Sequence, residues 1–117
     1  MTRADRAVEI FENGAVCGQA VLISFAVECG VDERTLRDLA AGFGGGIGYR
    51  QSACGALTGG VLAIGLILRG RISDPAEHRD EAKRVSGLLF DRFSEIMGAS
   101  SCAPISARAS AKHSRAT

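Results

Sequence analysis

The chain has no tryptophan, one tyrosine and two prolines, and aromatics make up only 5% of its 117 residues. Its core must therefore come from Ala, Val, Ile and Leu, with backbones approaching closely wherever one of the 15 glycines faces another segment. An excess of one charge is also missing. The 14 basic and 13 acidic residues leave a net +1, which removes the electrostatic footprint of a nucleic-acid binder. No CxxC pair occurs among the four cysteines, so zinc-knuckle, thioredoxin-type and c-type haem patterns are excluded together. Nor is there the run of ~20 apolar residues that a membrane span needs. The uncharged stretch at residues 52–68 falls short of it and carries Gly55, Gly59, Gly60 and Gly65, which suits a buried helix.

What is present describes one globular domain. Hydrophobic residues reach 46% and charged residues 23%, which is incompatible with wholesale disorder. Residues 2–12 predict a short amphipathic helix that starts on Thr2 with Asp5 three residues on and offers Ala7, Val8, Ile10 and Phe11 for burial. Residues 16–29 predict a second helix, apolar almost all round and hence central, stopped by Gly30. Asp32 then caps a third helix, with Val31 placed to pack on Leu36, and Leu36, Leu39, Ala40 and Phe43 follow at helical spacing. A glycine run at 44–48 precedes the uncharged helix. Asp74-Pro75-Ala76-Glu77 opens a last helix to about Met97, expected to bury Val85, Leu88, Leu89, Phe93, Ile96 and Met97. The expected fold is all-α: a single bundle of about five helices over residues 1–100. Residues 101–117 carry Arg108, Lys112 and Arg115 without an acid and read as a disordered basic tail that includes Cys102.

Chemistry points to the thiols. Cys54 follows the glycine run and falls in the first turn of the expected buried helix. Unpaired N–H groups and the positive end of the helix dipole favour thiolate there. Arg50 is placed to lower its pKa further or to stand as an ordinary exposed cation. Gly55 beside Cys54 leaves room for a second group at the sulfur. Cys17-Gly18 repeats this arrangement at the start of the other apolar helix, and Cys102 follows the last helix where the chain can fold back. Cys29, one helix length from Cys17, reads as filler. The glycine run matches neither GxxxxGK[ST] nor a GxGxxG after a strand; it reads as a tight loop bringing backbone close to a thiol or a helix. His78 and His113 lack helix-spaced partners and are not expected to ligate metal.

Cys17-Gly18-Gln19-Ala20, the glycine run, Ala53-Cys54-Gly55-Ala56-Leu57-Thr58-Gly59 and Ser101-Cys102 occur in the order of a known pattern. Over roughly residues 4–102 the chain resembles the small redox-active proteins named for the cysteine pattern C, GCAxxG, C, C. The resemblance implies a helical bacterial or archaeal protein with redox-active cysteines, in which Cys17, Cys54 and Cys102 take the first three motif positions and Cys29 none. Members usually continue to a fourth cysteine; residues 103–117 contain none.

Three expectations follow. The leading one is a thiol-based redox protein, a cytoplasmic oxidoreductase in which Cys54 forms and breaks a disulfide with Cys17 or Cys102, served by a redox partner protein. The second is a module in which Cys17, Cys54 and Cys102 hold zinc or an iron–sulfur cluster. The third is a structural helical homodimer, packed through Gly55, Gly59 and Gly60, with inert thiols.

Overall fold

The computed structural model describes residues 2–102, and the helix signals in the sequence are realised with small shifts at the ends. Helix α1 spans Arg3–Glu12; Thr2 caps it and exchanges hydrogen bonds with Asp5, the reciprocal arrangement its spacing foreshadowed. Helix α2 spans Cys17–Ala26. Its last expected turn, Val27–Cys29, tightens to a 3-10 helix and stops at Gly30 in the left-handed region. Asp32 caps α3, Glu33–Ala40, by accepting from the Thr35 amide. Helix α4 spans Gly55–Arg69 and α5 spans Pro75–Met97, with Asp74 as its cap and left-handed Gly98 as its stop. The architecture is all-α; among the described residues the sole β feature is a bridge between Ala53 and Ser101.

Helix α2 is the hub, packed by α1, α3 and α4, while α5 leans on the outer side of α4. Leu22, Ile23 and Ala26 of α2 meet Leu36 and Ala40 of α3 and Ala63 of α4 in one buried cluster, flanked by Ile10, Val31, Phe43, Leu62, Leu66 and Ile67. Full burial of Leu22, Ile23 and Leu36 contributes about 1.5–3 kcal/mol each. A Cβ on Gly59 would stand 2.7 Å from the Gly18 carbonyl oxygen, so α2 and α4 cross almost backbone on backbone, as the small-residue composition required. Arg3 fixes α1 to the far end of α2: its guanidinium donates to the Ser24 carbonyl at 3.2 Å and to Glu28 at 2.9 Å, a cation over the helix's unpaired C-terminal carbonyls.

Several expected burials do not occur. Leu88 is 53% and Ile96 70% exposed on α5, which has no fully buried residue at all. The reason is geometric: α5 touches the bundle along one side only, so an apolar arc wider than that contact is left in solvent. Leu39 on α3 and Val8 and Phe11 on α1 are exposed in the same way. Among the described residues no helix is long and apolar enough to cross a membrane.

Candidate thiol site

The two Cys-Gly pairs turn out to be one feature. Each lies at the start of a helix, and the two helix starts are packed against each other: a Cβ on Gly55 would overlap the Cys17 sulfur and the Phe43 carbonyl oxygen and stand 2.9 Å from the Gly18 nitrogen. A Cβ on Gly18 would meet Phe43 Cβ at 2.7 Å. With two side chains deleted, the Cys17 sulfur rests on Gly55, the chain neighbour of Cys54, and its thiol donates to the Phe43 carbonyl at 3.6 Å.

The helix starts are held by residues that sequence reasoning left without a role. Gln19 accepts from the Val16 amide at 2.9 Å and donates to the Arg37 carbonyl at 3.0 Å. It thereby closes the first turn of α2 and ties it to α3. A Gln three residues after the cap was the available signal. Phe43 acts through its backbone oxygen, which no sequence pattern displays.

The third thiol arrives through the bridge. The Cys54 amide donates to the Ser100 carbonyl at 2.8 Å and the Cys102 amide to the Ser52 carbonyl at 2.7 Å, so the chain after α5 is drawn back beside the start of α4. Cys102, expected in the basic tail, is only 8% exposed, the same as Cys54; Arg108, Lys112, His113 and Arg115 lie outside the described residues. The register sets Cys54 opposite Ser100 and diagonal to Cys102.

The loop at 41–53 makes this arrangement possible at some conformational cost. Gly45, Gly46, Ile47, Gly48 and Tyr49 all have positive φ, between 56° and 74°, and Gln51 adds a sixth left-handed residue at 59°. For Ile47, branched at Cβ, that conformation is a genuine outlier, and each strained non-glycine residue costs on the order of 1–3 kcal/mol. Hydrogen bonds from Gly48 to Gly42, Gln51 to Gly45 and Ser52 to Gly46 hold the loop closed. A Cβ on Gly46 would stand 2.6 Å from Cys102 Cβ. The glycine run therefore brings backbone against a thiol, in line with its expected role.

Electrostatics correct the expectation for Cys54. It is the cap residue of α4, with extended backbone (φ −60°, ψ 135°), rather than part of its first turn. Burial pushes its thiol above the ordinary range. The Ala56 and Leu57 amides pull it back down, and the neighbouring Cys17 and Cys102 thiols push it up again. Desolvation outweighs the helix terminus. Arg50 is exposed and has no part in the shift. Cys54 thus feels both other thiols, whereas Cys29 lies apart, its carbonyl accepting from Arg69 at 3.1 Å.

All four cysteines are thiols in the structure. Among the described residues no group of three or more His, Cys, Asp or Glu is arranged to hold a metal ion. A family model described as "Putative redox-active protein (C_GCAxxG_C_C)" matches residues 15–117, nearly the whole chain. No curated protein and no solved structure gives a significant match.

Proposed function

The chain belongs to this C_GCAxxG_C_C family, and from that premise we propose that it is a thiol–disulfide redox protein in which Cys54 exchanges between dithiol and disulfide with Cys17 or Cys102. The observation that carries the reading is the Cys17 sulfur resting on Gly55, beside Cys54, where glycine alone leaves it room. The influence of the neighbouring Cys17 and Cys102 on the ionisation of Cys54 supports the same grouping.

The chemistry is a two-electron exchange. Two thiols lose two protons and two electrons to form one S–S bond, and a disulfide substrate takes up the same to become two thiols. A dithiol reductant returns the protein to its starting state. The test is peptide mapping under non-reducing conditions after equilibration of the full chain with oxidised dithiothreitol. One intramolecular disulfide that includes Cys54 and excludes Cys29 is expected. An oxidised protein without a Cys54 disulfide would overturn the reading. So would stoichiometric zinc or iron in protein purified reduced and without air, since that result favours thiolate ligation instead.

A further inference from the structure

We propose that Cys17 is the thiol that meets the substrate, with Cys54 resolving behind it, and that the substrate is a small, uncharged, apolar disulfide seated between α1 and α2. The inference rests on the thiol–disulfide reading above and assigns the order of attack and the substrate class within it.

Access separates the three thiols. Cys17 is half-buried and lines a cavity of about 480 Å³ between α1 and α2, a volume in the range of small-molecule sites. Cys54 and Cys102 are each 8% exposed and are absent from its lining. Attack on a disulfide needs the sulfur aligned with the S–S bond, so a thiol closed off by its surroundings reacts only with a sulfur already delivered to it. Cys17 is the residue that both lines the cavity and touches the site of Cys54, through Gly55.

The lining sets the substrate class. Val8, Phe11, Ala20 and Val21 give the cavity an apolar wall, and Glu12 is its one charged lining residue. Among the described residues no cation lines it to receive a carboxylate or sulfonate, and Glu12 repels one. Val8 and Phe11, 56% and 55% exposed on the part of the α1 apolar arc that the bundle leaves open, form a wall that an apolar ligand can cover.

The steps balance. Cys17 gives its proton to solvent and attacks RS–SR; the Cys17–SR bond forms, the S–S bond breaks and RS⁻ leaves to be protonated. Cys54 then loses its proton and attacks the Cys17 sulfur. The Cys17–Cys54 bond forms and the second RS⁻ leaves and is protonated. Two thiols and one disulfide have become one disulfide and two thiols. The raised Cys54 thiol is a slow competitor for free disulfides, yet its attack on Cys17 is intramolecular, where effective concentration offsets a small thiolate fraction.

The experiment uses the full reduced chain and two chromogenic disulfides, uncharged dithiodipyridine and doubly anionic dithiobis-nitrobenzoate, with rates normalised to free cysteine. Cys54→Ser should accumulate a lasting mixed disulfide on Cys17, whereas the wild type passes on to the intramolecular disulfide. The uncharged probe should react about tenfold faster than the anionic one, and Val8→Lys, which adds a cation to the wall, should erase most of that preference. Brief iodoacetamide labelling of the wild type, read by peptide mass, gives the order of reactivity without any substitution, with Cys17 first. First modification at Cys54, or equal normalised rates for the two probes, overturns the inference. Failure of the underlying reading looks different: Cys17 still labels first, but no Cys54 disulfide forms on oxidation.

Discussion

Replacing Gly55 with alanine is the most direct probe of the packed helix starts. The new Cβ would overlap the Cys17 sulfur and the Phe43 carbonyl oxygen and lie 2.9 Å from the Gly18 nitrogen. Two of those three atoms are backbone, so no side-chain rotation relieves the crowding; α2, α4 or the loop has to move. Overpacking of this kind costs about 1–3 kcal/mol, and the backbone contacts place Gly55→Ala in the upper half of that span. Alanine recovers about 0.5–1 kcal/mol of helix propensity. The net loss is about 1–2.5 kcal/mol, a fall in Tm of about 5–15 °C for a domain of this size. Gly87→Ala is the matched control. Gly87 is exposed on α5 and a Cβ there meets nothing within 4 Å, so only the propensity gain remains and Tm should rise. Circular-dichroism melts under reducing conditions read both. Repeating Gly55→Ala in a Cys17→Ala background removes one of the three overlaps, and the penalty should shrink by about 0.5 kcal/mol or more. A Gly55→Ala protein as stable as the wild type, or stabilised like Gly87→Ala, would refute the close approach on which the thiol pair depends.

Two other expectations concern titration and packing. Burial raises the Cys54 thiol above its ordinary range, so the unfolded chain releases that proton at lower pH than the native one. The stability tied to this group is intact below the ordinary thiol value and declines as pH rises through it toward the native value. Urea midpoints should therefore fall between about pH 8 and pH 10, and Cys54→Ala should flatten the decline; an unchanged slope in the variant contradicts the assignment. In the core, Leu22→Ala should cost about 2–5 kcal/mol, because Leu22 is fully enclosed by the α2, α3 and α4 cluster. Leu88→Ala on the uncovered side of α5 should stay within about 0.5–1 kcal/mol of wild type by denaturant unfolding at low protein concentration.

Helix boundaries were legible because the signals are local. Thr2 with Asp5, Asp32 with Thr35, and Asp74 with Glu77 each satisfy an amide three residues away, and nothing elsewhere in the chain has to be known. Burial on α1 and α5 was less legible. Helical spacing places Val8, Leu88 and Ile96 on apolar arcs, yet whether an arc is covered depends on how many neighbours the helix acquires. Helix α5 packs chiefly on α4, and periodicity carries no information about that. The glycines lay between these cases. Their abundance announced close backbone contacts, but the pairing of Gly18 with Gly55 and Gly59 is a matter of crossing geometry that only the assembled bundle displays.

Cys54 shows why a correct placement can still yield the wrong ionisation. Its position at the start of an apolar helix was legible, and the Ala56 and Leu57 amides do favour its thiolate as that position implies. The same sequence features that mark the helix as central, no charge across residues 52–68 and glycines admitting α2 at close range, also deprive the thiol of water. The Ala56 and Leu57 amides work against that desolvation, and the neighbouring thiols add to it, since a second thiolate close by repels the first. An activated thiolate and a fully packed glycine crossing therefore compete at one residue, and packing prevails. The division of labour between a reachable Cys17 and a buried Cys54 follows from that competition. Burial that would disable a lone nucleophile is tolerable in a thiol whose target is another cysteine held against the neighbouring glycine.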